Sequence, residues 1–115
     1  MAWQVANEVA RAVLGLCRTE WKPHAAGLFG QLQRASLSVQ LNIAEGYAVR
    51  SRARFSYHLV TAYGSAVETT ELLELALAEH VAPPSTVQPI LIASRRAQSL
   101  LLGLLHRYRE VGGER

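Results

Sequence analysis

The chain has 115 residues, half of them hydrophobic and 18% charged, which suits one domain and excludes both a disordered tail and a second independent core. Twelve lysines and arginines against nine acids leave a net charge of +3, a bias too modest to specify a nucleic-acid partner by itself. The single cysteine, Cys17, forms no internal bridge and suits a reducing cytoplasm, while apolar runs such as Leu100 to Leu102 fall far short of the ~20 residues a bilayer span needs.

In chain order, Val5, Val9, Ala12 and Leu16 keep a 4-3-4 spacing beside Ala6, Ala10, Val13 and Cys17, which predicts a helix over about 3–18. Glu8 and Arg11 within it leave no secretory hydrophobic region. Pro23 and Gly27 break the pattern. A second helix, about 28–47, carries Leu28, Leu32, Ala35, Val39 and Ile43, and Gly46 stands near its end. Ser51 is placed to cap a third helix over about 52–79. Phe55, Leu59, Ala62, Ala66, Thr69, Leu73 and Ala76 form its main seam, with Val60, Tyr63, Val67, Thr70 and Leu77 as a second one alongside. That second seam fits either a subunit contact or wide core burial.

His80 through Pro84 stops the third helix, because consecutive prolines cannot continue it. The fourth, about 86–110, is expected to be capped by Thr86 with Pro89 in its first turn. Ser85 with Gln88 offers a capping box one residue earlier, but that register asks Pro89 for a bond it cannot donate. Ile90, Ala93, Ala97, Leu100 and Leu104 are expected to face the core, flanked by Leu101, Leu105 and Tyr108. No strand pattern or repeat is visible, and short loops favour an all-α, up-down-up-down four-helix bundle, one domain over residues 1–115.

Gln31, Arg34, Ser38, Asn42 and Glu45 fall within roughly 80° of one another on the second helix. If the turn is centred near residue 50, Arg34 comes near Glu68, and Ser38 comes near Gly64 and Ser65. Arg34–Glu68 would then be an interhelical charge pair, with Gly64 admitting close backbone approach. The stripe reads first as a structural polar network and second as a binding groove. Arg50, Arg52 and Arg54 surround the turn, and the fourth helix brings Arg107, Arg109 and Arg115 to the same end. Glu68, Glu71, Glu74 and Glu79 lie further along, so a basic pole on a more acidic shaft is expected. A solvated loop and a phosphate-binding end explain the pole equally well.

The run Gln31-Leu32-Gln33-Arg34-Ala35-Ser36-Leu37-Ser38-Val39-Gln40-Leu41-Asn42-Ile43-Ala44-Glu45-Gly46-Tyr47 resembles the signature of the 23S rRNA intervening-sequence protein family. Trp3-Gln4 with Ala6, and Ala62-Tyr63-Gly64-Ser65 with Glu68, extend the likeness over nearly the whole chain. The resemblance implies a four-helix bundle assembled as a homopentamer, without enzymatic activity. It also relates the chain to accessory proteins of diversity-generating retroelements, basic bundles that bind nucleic acid and a reverse transcriptase. Gln33, Tyr63, Val49 and Arg50 depart from the family's pattern, Gln33 and Tyr63 standing where it carries arginine.

Catalytic signatures are not visible. His24, His58, His80 and His106 are scattered, and no Glu-x-x-His or His-x-x-x-His spacing suggests a metal. Cys17 sits on an apolar face and reads as packing. Ser36, Ser38 and Ser65 lack an evident His–acid partner, and neither Gly46 nor Gly64 belongs to a phosphate loop. No cofactor motif is recognisable. The expected function is that of a non-enzymatic, homo-oligomeric bundle binding RNA or DNA through Arg50, Arg52, Arg54, Arg107 and Arg109. The competing expectation is an adaptor that recognises a protein, its basis being the second seam of the third helix.

Overall fold

The computed structural model describes residues 1–49 and 51–112, with side chains as far as Tyr108; Arg50, the side chain of Arg109, and Arg115 lie outside the described residues. The described chain is all-helical, with α1 Ala2–Glu20, α2 Ala26–Ala48, α3 Arg52–Ala78 and α4 Pro84–Gly112. One turn of 3-10 helix, Pro23–Ala25, leads into α2. Consecutive helices pack on each other, α4 returns to α1, and α1 and α3 lie diagonally, with no Cα pair within 8 Å among the described residues, meeting only through the shared core. The α2–α3 interface is the most extensive.

Of the two side-chain caps expected, one forms and one does not, while α1 and α2 begin without a side-chain cap. The Ser51 hydroxyl accepts from the Arg54 N–H at 3.3 Å and caps α3 as its position suggested. α3 closes in a Schellman turn: Val81 N–H donates to Ala76 C=O at 3.1 Å and His80 N–H to Leu77 C=O at 3.3 Å. His80 occupies the left-handed position there, with φ 53°. The cap that does not form is that of α4, which starts at Pro84 and not after a Thr86 cap. The Pro83 carbonyl accepts from Thr86 and Val87, and Pro84 brings its fixed φ to the first helical position. Pro89 therefore lies inside α4, beyond its first turn, where the exposed segment loses one backbone bond.

Two buried clusters fill the interior. Val9, Val13, Leu16, Phe29, Leu32, Leu73, Val87 and Leu91 belong to the one at the α3–α4 turn end; Ala6, Val39, Ile43, Leu59, Ala62, Leu101 and Leu105 belong to the other. The main α3 seam is buried from Leu59 to Ala76, and Phe55 is half-buried at its head. The second seam divides: Thr70 is buried, Tyr63 and Leu77 pack against the clusters, and Val60 stays 49% exposed. On α4 the expected stripe holds in part. Ile90 and Ala97 are buried as expected, but they are joined by Val87, Leu91, Ser94, Leu101 and Leu105, whereas Ala93, Leu100 and Leu104 are only half-buried. Ser94 and Gln98 interrupt the true core column with polar side chains, which made the neighbouring apolar column look central.

Candidate nucleic-acid interface

The polar stripe of α2 meets α3 along its length in the antiparallel register expected from a turn near residue 50. Ser38 and Ser65 share a hydroxyl bond of 2.8 Å. Asn42 donates to the Ser38 carbonyl at 2.9 Å and contacts its hydroxyl at 3.2 Å. His58 Nδ1 pairs with Asn42 Oδ1 at 2.9 Å and lies 3.8 Å from Glu45. His58 is thus a further member of the network, one that metal-ligand or triad spacing does not mark in the sequence. Its position on the α3 face opposite Asn42 was the available signal.

Two expectations on this stripe are corrected. Arg34 does not pair with Glu68. Gln31 stands between them, donating its amide N–H to Glu68 and accepting from Arg34 Nη2 at 2.8 Å. Gln31 lies closer to the level of Glu68, and Arg34 is exposed, so the charges are bridged at the surface and not buried together. Gly64 is not the point of close approach either, since a Cβ there would meet nothing within 4 Å. That role belongs to Gly46, where an added Cβ would come 3.2 Å from His58 Cβ and 3.3 Å from Phe55 Cδ1.

The basic end is built where α2 gives way to α3 and α4 returns. The Tyr108 hydroxyl donates to the Arg52 carbonyl, and the Arg52 guanidinium lies 5.5 Å from the centre of the Tyr108 ring. Phe55 packs edge-on against Tyr108 at 5.2 Å and against Tyr47 at 5.4 Å. Arg107 lines a cleft with Met1, Ala2, Tyr47, Leu100 and Leu104. Arg52, Arg54 and Arg107 are exposed, and none pairs with a carboxylate among the described residues. The structure therefore brings Arg52 and Arg107 to one tip, the arrangement the arginine spacing required. The aromatic row within that tip, Tyr47–Phe55–Tyr108, was only half visible in sequence, because Tyr108 joins it from a distant helix. The shaft is less acidic than expected, since Arg95 pairs with Glu74 at 2.7 Å.

Elsewhere the chemistry is quiet. Burial pushes the Cys17 thiol up from its ordinary range, and its Sγ–H points to the Phe29 carbonyl at 3.7 Å. Among the described residues no group of three or more His, Cys, Asp or Glu could hold a metal ion. No described helix is long and apolar enough to cross a membrane.

An all-α domain of four packed helices, with a hydrogen-bonded polar seam between α2 and α3, is the class defined here. Residues 1–103 match the 23S rRNA-intervening sequence protein family, and the chain belongs to it. A crystal structure of a protein of unknown function from the S23 ribosomal protein family of Bacteroides thetaiotaomicron is similar at a TM-score of 0.81 and 23% identity, covering 91% of this chain and 98% of that one. At that identity the likeness concerns the fold. No curated protein matches the chain.

Proposed function

We propose that the chain is a cytoplasmic, non-enzymatic, up-down-up-down bundle that assembles with copies of itself, as a homopentamer, and binds RNA or DNA through its arginine-bearing tip. The observation that carries the nucleic-acid reading is the meeting of Arg52 and Arg107 beside a shared aromatic row. Arg54 is exposed in the same first turn of α3, on another side of the helix, and adds charge to this end, while Arg50 and Arg109 are assigned from sequence alone. Two or three phosphate contacts from one subunit bind weakly and are easily displaced by salt. Several tips on one assembly raise avidity by roughly 10²–10⁴ when one strand reaches more than one of them. Service as an accessory factor to a retroelement reverse transcriptase is a narrower form of this reading, supported by the family resemblance.

A filter-binding titration against single-stranded RNA and duplex DNA tests it. Binding at ~50 mM salt that weakens steeply as salt rises, and that drops for Arg52→Glu with Arg54→Glu, is the expected result. Absence of binding at low salt, or indifference to the double substitution, removes it.

A second reading has its own observation. The outward side of α3 presents Tyr57, Val60 and Leu75 at 66%, 49% and 48% exposure, with Gly64 between them. Such a face suits a protein contact, and an adaptor that recognises another polypeptide would use it. Recovery of one specific polypeptide after nuclease treatment, with no nucleic-acid affinity in the purified chain, would favour the adaptor.

A further inference from the structure

We infer that the cleft beside Tyr47 receives one unpaired nucleobase, so that the ligand of the basic tip is single-stranded; this rests on the nucleic-acid reading above and specifies its substrate class. The cleft measures about 180 Å³ and is lined by Met1, Ala2, Tyr47, Leu100, Leu104 and Arg107. Pockets that engulf drug-sized ligands run to roughly 300–1,000 Å³, so this one is scaled to a single planar ring system. Its walls mix polar and apolar surface in comparable amounts, with the Arg107 guanidinium among them.

Tyr47 supplies the platform. It lies in the last turn of α2 and is 60% exposed, yet its ring is braced by Phe55, which is braced in turn by Tyr108. A tyrosine fixed on one side and open on the other offers a π-face at little ordering cost. Bases stack on such faces with little regard to sequence. Cations flank the row at both ends, Arg107 in the cleft and Arg52 over Tyr108. A base lodged against Tyr47 therefore has phosphate partners for the nucleotides that follow it. Duplex bases present only their edges in the grooves, and extruding one consumes stacking and pairing energy. A small cleft of mixed polarity lined by an exposed tyrosine and an arginine thus selects for a strand whose bases are already unstacked.

Fluorescence anisotropy at ~50 mM salt would compare three labelled probes of about 12 nucleotides: single-stranded oligothymidine, a strand of equal length made of abasic sites, and a duplex. The base-bearing strand is expected to bind more tightly than the abasic one, which has equal phosphate charge. Tyr47→Ala should weaken the base-bearing complex by about five- to 150-fold and abolish that difference, whereas Tyr47→Phe retains it. Tyr47 is exposed, so circular dichroism should show the Ala variant as helical as the parent. Equal affinity for base-bearing and abasic strands overturns the inference, as does Tyr47→Ala binding like the parent. In either case a salt-sensitive loss with Arg52→Glu leaves the phosphate-binding tip standing. If no probe binds, both readings fall together.

Discussion

A single methyl group separates the two conspicuous glycines. Gly46 faces Phe55 and His58 at a spacing that a Cβ would violate by a few tenths of an ångström, whereas Gly64 faces open space. Gly46→Ala should therefore destabilise the chain by about 0.5–2 kcal/mol, overpacking of about 1–3 kcal/mol exceeding the helix-propensity gain of about 0.5–1 kcal/mol. Gly64→Ala should raise stability by about 0.5–1 kcal/mol through helix propensity alone. Urea denaturation of both variants checks the pair, and a reversal of signs would return the close approach to Gly64. Gln98 offers a second residue-scale test. Its buried Oε1 has no hydrogen-bond partner among the described residues, and an unsatisfied acceptor costs more than an apolar isostere. Gln98→Met is expected to stabilise by about 1 kcal/mol, read as a higher urea midpoint at constant slope. The buried hydroxyl pair nearby, Thr70 with Ser94 at 2.9 Å, shows the contrasting case of polar groups that satisfy each other.

Helix termini, more than helix interiors, set how the elements join. His80 ends α3 in the left-handed region, a conformation a side chain disfavours by roughly 1–2 kcal/mol relative to glycine. Val81 after it and Ala76, whose carbonyl accepts from Val81, are buried, so the turn is held by packing despite that cost. His80→Gly should then stabilise by about 0.5–1 kcal/mol after the extra entropy of an unfolded glycine is deducted. A thermal midpoint that falls would show that the imidazole makes a contribution beyond its backbone. α4 carries its own lesson at this scale. Two apolar columns lie side by side on it, and only the packing against α1 and α3 selects Val87, Leu91 and Leu101 over Ala93 and Leu104. A hydroxyl at Ser94 could sit in the core column because Thr70 on the facing helix accepts or supplies its proton.

At the scale of the whole molecule, α1 and α3 lie diagonally across the core, each with its backbone against α2 and α4 and not against the other. The exposed side of α3 carries Tyr57, Val60 and Leu75, and α1 exposes Trp3 and Leu14. Apolar surface on two opposed faces favours a head-to-tail contact, which closes into a ring when the rotation permits. Light scattering of the parent chain should then return a multiple of 12.6 kDa. Val60→Glu with Leu75→Glu should reduce it to the single-chain mass with helicity unchanged, because both side chains are about half exposed. A parent mass of one chain would refute the assembly outright. Under the proposed function the same double substitution should also weaken nucleic-acid binding, because multivalent affinity requires several tips on one assembly.

Periodicity alone was sufficient for four helices, the Ser51 cap, the α3 seam and the stripe from Gln31 to Glu45, because each depends on neighbours within one or two turns. The meeting of Arg52 with Arg107 was also legible, as short loops force alternate helix ends together. Only the tertiary structure decided that Gln31 bridges Arg34 and Glu68, that Gly46 is the tight contact, and that Tyr108 completes the aromatic row. Those outcomes turn on axial offsets and helix rotations of a few ångströms. Such offsets arise from packing whole faces together and leave no mark in the spacing of residues along one helix.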